Sequence, residues 1–283
     1  MDEFLKLLGT ALRVFEVGQS PQAFLVLIGL AFARFLSFLV IVPFFGGSAV
    51  PGRVKVATAT AFVVIVYPSL EGALPVGQPL PFGPLGFIAM LAKECFVGFT
   101  LGFVATLVFE AIQVAGRIID FQRGATIGEV YAPQLQTQVS ELGQFKLQFA
   151  IVLFLMIGGH HAFIEALLRS YEAIPATGFP RLDPGWTPQV AFLVTLSGQV
   201  ISIGVQLAAP AMVALLLTDL FFGIINRVAP QINVFFLSLP VKMMVGIFVV
   251  MAALTLYQDR YIYYFKESLK AFDLLLHALS RAV

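Results

Sequence analysis

The stretch RIIDFQRGATIGEVYAPQLQTQVSELGQF, Arg117–Phe145, decides how this chain is read. It holds five glutamines, three glycines, three acids, two arginines and one proline. Yet it sits between two of the most apolar runs in the chain, near 85–119 and 145–168. Irregular backbone at membrane depth is tolerated only where protein buries it or water bathes it. The reading of this segment therefore depends on what flanks it.

The flanks belong to a membrane protein. Of 283 residues, 59% are hydrophobic and only 12% charged, about half the charged share of a soluble domain; mean hydropathy is +0.93. Six apolar runs stand out, near 23–45, 54–67, 85–119, 145–168, 190–225 and 234–257. A helix needs roughly 20 apolar residues to cross the hydrocarbon core, and the first, fourth and sixth runs fit. The second is short. The third and fifth are too long for one straight span, so they either fold back as hairpins or continue beyond the bilayer. The expected fold is all-α, with about six long hydrophobic helices, several as hairpins or kinked.

Glycine and proline mark the breaks. Val42–Lys55 reads as a turn, Tyr67–Gly86 as an irregular loop with five prolines, and Pro175–Pro188 as another carrying the lone Trp186. Pro230 and Pro240 place a non-helical or kinked link in Arg227–Lys242. Asp259–Val283 reads as an amphipathic helix with Lys266, Lys270 and Arg281 outward. At the other end, Phe4, Leu7, Leu8, Leu12 and Phe15 fall near one helical face. That is either a short interfacial helix or the lead into the first span, and the two acids there argue against a cleaved signal peptide. Positive charges nearly cancel under strict alternation, so the loops set no orientation; with two over-long runs and one short, these helices are not all simple crossings.

Several function classes drop out. A net charge of +1 without a basic patch gives no nucleic-acid footprint. The single Cys95 forms no internal disulfide, and three histidines make no zinc framework. No nucleophile motif, phosphate loop, dinucleotide fingerprint or zinc-protease motif appears, so neither catalysis nor a cofactor or metal is expected. His160 and His161, with Glu165 beyond, read as a polar kink after Gly158–Gly159, or as a proton relay or a metal-ligand pair, although no third ligand stands nearby.

Charged groups inside apolar runs ask for partners. Arg34, Lys93, Glu94, Glu110, Glu165, Asp219 and Lys242 qualify. Lys93 and Glu94, adjacent on a helix, are expected to point apart and not to pair. Glu110, Gln113, Arg117 and Asp120 share a narrow face, either as a partner-facing or path-lining stripe or as an intrahelical ladder of i, i+3 pairs. Gly98 and Gly102 form a G-x-x-x-G that allows close helix approach. Within the opening stretch, Gln134, Gln136 and Gln138 alternate as in an extended strand, and Gly124 and Gly128 allow sharp turns. The segment reads as a removable barrier across a pore or as a solvated loop.

GRIIDFQRGAT, followed by FFGIINRVAPQINVFFLSLPVK, resembles the FliR/SctT family; FARFLSFLVIVPFFGG and KECFVGFTLGF are similar to its first and third segments. The resemblance covers nearly the whole chain in order. IDFQRGAT looks closer to the injectisome branch than to the flagellar one, although Phe121 departs from the asparagine expected there. The resemblance implies an export-gate subunit of type III secretion in the bacterial inner membrane, working with FliP/SctR-like and FliQ/SctS-like subunits, and with FlhB/SctU-like and FlhA/SctV-like ones. It implies a FliP-like part over 1–187 and a FliQ-like hairpin with an amphipathic tail over 188–283. It implies a plug at 122–140, anchored by Gln122, Arg123 and Gly124, with Gly128, Gln134, Gln136 and Gln138 in the loop. Glu110, Gln113, Arg117, Asp120, Asp219, Arg227, Pro230, Gln231, Asn233 and Lys242 would face neighbouring subunits, and unfolded proteins would pass through. The rival reading is a stand-alone proton-coupled transporter using Glu110, Asp120, Glu165 or Asp219. A poreless scaffold is the third.

Overall fold

The apolar runs fold as helices, because a helix satisfies all its interior backbone groups within one segment. A computed structural model describes residues 21–45, 47, 50–70, 83–125, 140–178 and 187–280. In order these form α1 (Pro21–Ile41), α2 (Gly52–Leu70), α3 (Pro84–Arg123), α4 (Glu141–Met156), α5 (Gly159–Ala173), α6 (Thr187–Val228), α7 (Val234–Ala252) and α8 (Leu254–Ser280). The described residues contain no strand. The N-terminal segment before Pro21, Trp186 and residues 126–139 lie outside the described set.

The two over-long runs do not fold back. Each is one continuous helix, α3 of 40 residues and α6 of 42, the latter with Pro210 inside it. The fourth run breaks into α4 and α5 at Ile157–Gly158, where Gly158 holds φ 75°. The sixth run breaks at Ala253 and continues as α8, which carries Lys266 and Lys270 exposed. Among the described residues four helices, α1, α3, α6 and α7, are long and apolar enough to cross a membrane, with the broken α4–α5 pair as a fifth.

The described residues divide into two compact units, one within 1–106, 160–190 and 269–283, the other within 107–159 and 191–268. In the first, the G-x-x-x-G is put to use. A Cβ on Gly98 would meet the Arg34 carbonyl oxygen at 2.2 Å, and one on Gly102 the Phe38 carbonyl at 3.2 Å. The missing side chain at Gly98 lets α3 lie this close to α1, and at Gly102 the fit is tight. Phe44–Phe163 and Phe163–Phe272 ring pairs, at 5.7 and 5.5 Å, fill the space between elements, each buried ring contributing roughly 1.5–3 kcal/mol.

A polar centre lies in this apolar unit. Arg34 is fully buried and grips the Glu94 carboxylate through Nε and Nη2, the latter at 2.9 Å. It also donates to Ser170 Oγ (2.9 Å) and the Ile174 carbonyl (2.8 Å), and its guanidinium stacks 3.9 Å from the Tyr171 ring centroid. Lys93 Nζ stands 2.7 Å from Glu94 Oε1, which corrects the expectation that these neighbours do not pair. Their Cβ atoms diverge, but both side chains are long enough to curl to a common point. Two cations thus share one carboxylate. The excess charge is met by the carbonyls of Pro175, Ala176 and Gly178, at 2.9, 3.0 and 2.9 Å from Lys93 Nζ. These follow directly on α5, whose C-terminal end carries a partial negative charge of about one half.

The second unit has a phenylalanine triad, Phe109, Phe154 and Phe265, from α3, α4 and α8, with centroids 5.1–5.3 Å apart. Gly159 is needed because Phe154 folds over it: a Cβ there would lie 2.3 Å from the ring. Along α6 and α7, by contrast, large apolar side chains such as Leu217, Phe221, Met244 and Phe248 are exposed.

Candidate functional site

The residues that flank the polar loop converge on one carboxylate. Asp120, in the last turns of α3, is 2% exposed. It accepts from Arg123 Nε (2.7 Å), from the Ser140 hydroxyl and from the Leu142 amide (3.0 Å). Arg123 is equally buried and reaches on to Glu141 at 3.0 Å; that carboxylate is 82% exposed, so this second contact is worth little alone.

Local sequence explains both ends. At the end of α3, Gly124 adopts φ 82°, a conformation that costs an L-residue with a Cβ about 1–2 kcal/mol. Its N–H bonds to the Phe121 carbonyl (3.2 Å) and that of Ala125 to the Asp120 carbonyl (3.0 Å), the paired closure of a Schellman ending. At the start of α4, Ser140 is the N-cap and accepts from the Gly143 N–H at 2.9 Å, satisfying one of the orphan donors of a helix start. The two chain ends that flank residues 126–139 are therefore joined through Asp120.

Close packing fixes this root. A Cβ on Gly116 of α3 would meet Gly143 Cα of α4 at 2.3 Å, so the two backbones touch. Gly204 of α6 packs on the Val114 side chain, and Gly246 of α7 more loosely on the Arg123 side chain. Gln122 donates to the Met212 carbonyl of α6 at 3.1 Å, while its own Oε1 is buried without a partner among the described residues.

Gln122, Arg123 and Gly124 are thus gathered with Asp120; Gly128, Gln134, Gln136 and Gln138 lie outside the described residues. Asp120 turns inward, whereas Glu110 and Arg117 stay exposed and Gln113 half-buried. Arg117 donates to Gln113 Oε1 at 2.9 Å, and Asp120 pairs with Arg123, so neither i, i+3 pairing of the ladder forms. On the α6–α7 hairpin, Asp219 and Lys242 form an ion pair at 2.7 Å. Its turn is closed by Ile232 N–H to the Ala229 carbonyl at 3.1 Å, with Pro230 at the second position, where its fixed φ suits a turn. Asn233 caps α7, and Arg227, Pro230, Gln231 and Asn233 are exposed.

Sequence reasoning missed Ser140 and Lys146. A serine directly before an acid and an apolar run is an N-cap signal and marks Ser140. Nothing in the sequence separates Lys146 from a surface lysine, yet it is 1% exposed. Of the proposed proton carriers, Glu110, Glu165 and Asp219 are exposed. Both buried carboxylates among the described residues, Glu94 and Asp120, are ion-paired. His160 and His161 lie ring to ring at 3.9 Å, at the start of α5 after the break. No three of His, Cys, Asp and Glu gather as a metal site among the described residues. What the arrangement does physically is tie the end of α3 to the start of α4 through Asp120.

The family described as "Bacterial export proteins, family 1" matches residues 25–268. The chain is 31% identical over 220 residues to the flagellar biosynthetic protein FliR of Bacillus subtilis, covering 77% of this chain and 82% of that one. It is 32% identical over 212 residues to Yop proteins translocation protein T of Yersinia pestis, covering 74% and 78%. To the surface presentation of antigens protein SpaR of Shigella flexneri it is 31% identical over 232 residues, covering 82% and 86%. Relatives from both branches thus match equally well. A helical, multi-span chain matched in this way along most of its length belongs to the FliR/SctT family of bacterial export proteins, components of the type III export apparatus in the inner membrane.

Proposed function

We propose that this chain is one subunit of a protein-conducting export gate, and that residues 122–140 form its plug. Residues 1–187 would act as a FliP-like part and 188–283 as a FliQ-like hairpin with its tail. FliP/SctR-like and FliQ/SctS-like subunits would complete the channel, with FlhB/SctU-like and FlhA/SctV-like subunits alongside. The role is passive: unfolded substrates pass, and the plug limits leakage at rest.

One observation carries the reading. A single buried carboxylate, Asp120, holds both ends of the polar segment. A plug has to yield in its middle while its root stays fixed, and an anchorage by three charge-assisted or capping hydrogen bonds supplies that. The exposed apolar faces of α6 and α7 support partner contacts as well as lipid contacts, because apolar patches on this scale mark interaction surfaces.

The test is to express the chain alone and with its FliP-like and FliQ-like neighbours, and to measure native mass. The expected product is a defined hetero-oligomer. In that assembly, deletion of residues 126–139 should raise ion leak across the membrane. A stable homo-oligomer indifferent to the neighbours, or an assembly whose leak the deletion leaves unchanged, would overturn the proposal.

A further inference from the structure

Midway along α6, Pro210 removes the backbone donor that would serve the Gln206 carbonyl. The neighbouring Leu207 carbonyl accepts from Lys146 Nζ at 3.3 Å. That amine lies 3.9 Å over the Tyr257 ring and has no carboxylate partner among the described residues. A cavity of about 490 Å³ opens beside Tyr257, between α6 and α8, within the ~300–1,000 Å³ typical of small-molecule sites.

Its walls are chemically sorted. Pro210, Val213 and Leu256 make one side apolar. Arg260 stands on the rim, exposed and without an ion pair among the described residues. Tyr264 is fixed in place by a 2.9 Å bond to Gln206 Oε1. Among the described residues that line the space there is no carboxylate, and Arg260 is its one charged group. The mouth opens onto lipid-compatible surface, since Val205, Val213 and Leu256 are 42%, 58% and 47% exposed.

We propose that this cavity binds one anionic phospholipid, its phosphodiester on Arg260 and part of an acyl chain against Pro210 and Val213. The guanidinium fork matches two phosphate oxygens. The apolar wall takes a chain, which a soluble anion lacks. A partner polypeptide would have to present an acid within an apolar stretch, whereas an anionic phospholipid carries both in one molecule.

The full-length chain is purified, exchanged into mixed micelles containing phosphatidylglycerol or phosphatidylcholine with the same chains, and weighed by native mass spectrometry. One phosphatidylglycerol should be retained, and phosphatidylcholine about tenfold less. R260Q, at an exposed position, should erase that preference with the elution volume unchanged. V213W, which fills the mouth, should displace both lipids. Dodecyl phosphate should compete where inorganic phosphate at equal concentration does not. Equal retention of the two lipids, an unaltered preference in R260Q, or competition by inorganic phosphate alone would overturn the proposal. So would a co-expressed partner chain, rather than lipid, cross-linking at position 213.

Discussion

Replacing Asp120 with alanine tests the anchorage directly. The carboxylate is 2% exposed and Arg123 3%, so its removal strands a buried cation. Breaking such a pair costs roughly 3–5 kcal/mol. Here Arg123 keeps Glu141 at 3.0 Å, but that acid is 82% exposed and screened by water. The expected loss therefore falls at the low end, about 3 kcal/mol, or a drop of roughly 6–12 °C in apparent Tm. Thermal loss of the monodisperse fraction in one fixed detergent measures it. D120N keeps acceptor capacity for Ser140 or Leu142 and should lose only about 1–2 kcal/mol. The decisive variant is D120A/R123M. If the cost comes from the orphaned cation, deleting the cation too should recover at least ~1 kcal/mol of the single variant's loss. A double variant no more stable than D120A refutes the reasoning, as does a D120A that melts like the parent.

Gly116→Ala places a methyl 2.3 Å from Gly143 Cα, and should cost about 1–3 kcal/mol, whereas Gly223→Ala, with nothing within 4 Å, should leave Tm unchanged or slightly raised. Lys93→Met strips three carbonyls of their donor and should raise amide hydrogen exchange in residues 174–178 well before the rest of the chain opens. Tyr257, outside the spans, has its phenol pushed up to about 12 by burial. An unfolded tyrosine ionises near 10 while the folded one stays neutral. Its contribution to stability is therefore complete below pH ~10 and falls away between about 10 and 12; Y257F should flatten that part of the Tm–pH curve.

Composition and the spacing of glycine and proline made the helices legible, because local backbone chemistry decides them. The runs near 85–119 and 190–225 are α3 and α6; the choice between hairpin and continuous helix was open because the first run has no proline break and the second only Pro210, which did not fold α6 back. Pro230 in its turn and Gly124 at its helix end were readable for the same reason. The G-x-x-x-G at Gly98–Gly102 was a weak signal, since such spacing is frequent by chance in apolar helices, and α1 gave it a partner.

Partner choice was not legible. The sequence flagged Arg34, Lys93 and Glu94 as groups needing partners, but only the packing of α1 against α3, with the turn after α5, brought two cations to one carboxylate and a ring of carbonyls. It placed Asp120 on a stripe with Glu110 and Arg117, whereas the tertiary structure turned Asp120 inward to Ser140 and Leu142. It left Lys146 looking like any lysine, and α6 and α8 enclosed it. The reason is common to all three. Helix formation depends on neighbours within four residues, while the partner of a buried charge is set by which distant segment packs over it, a choice made by the whole fold.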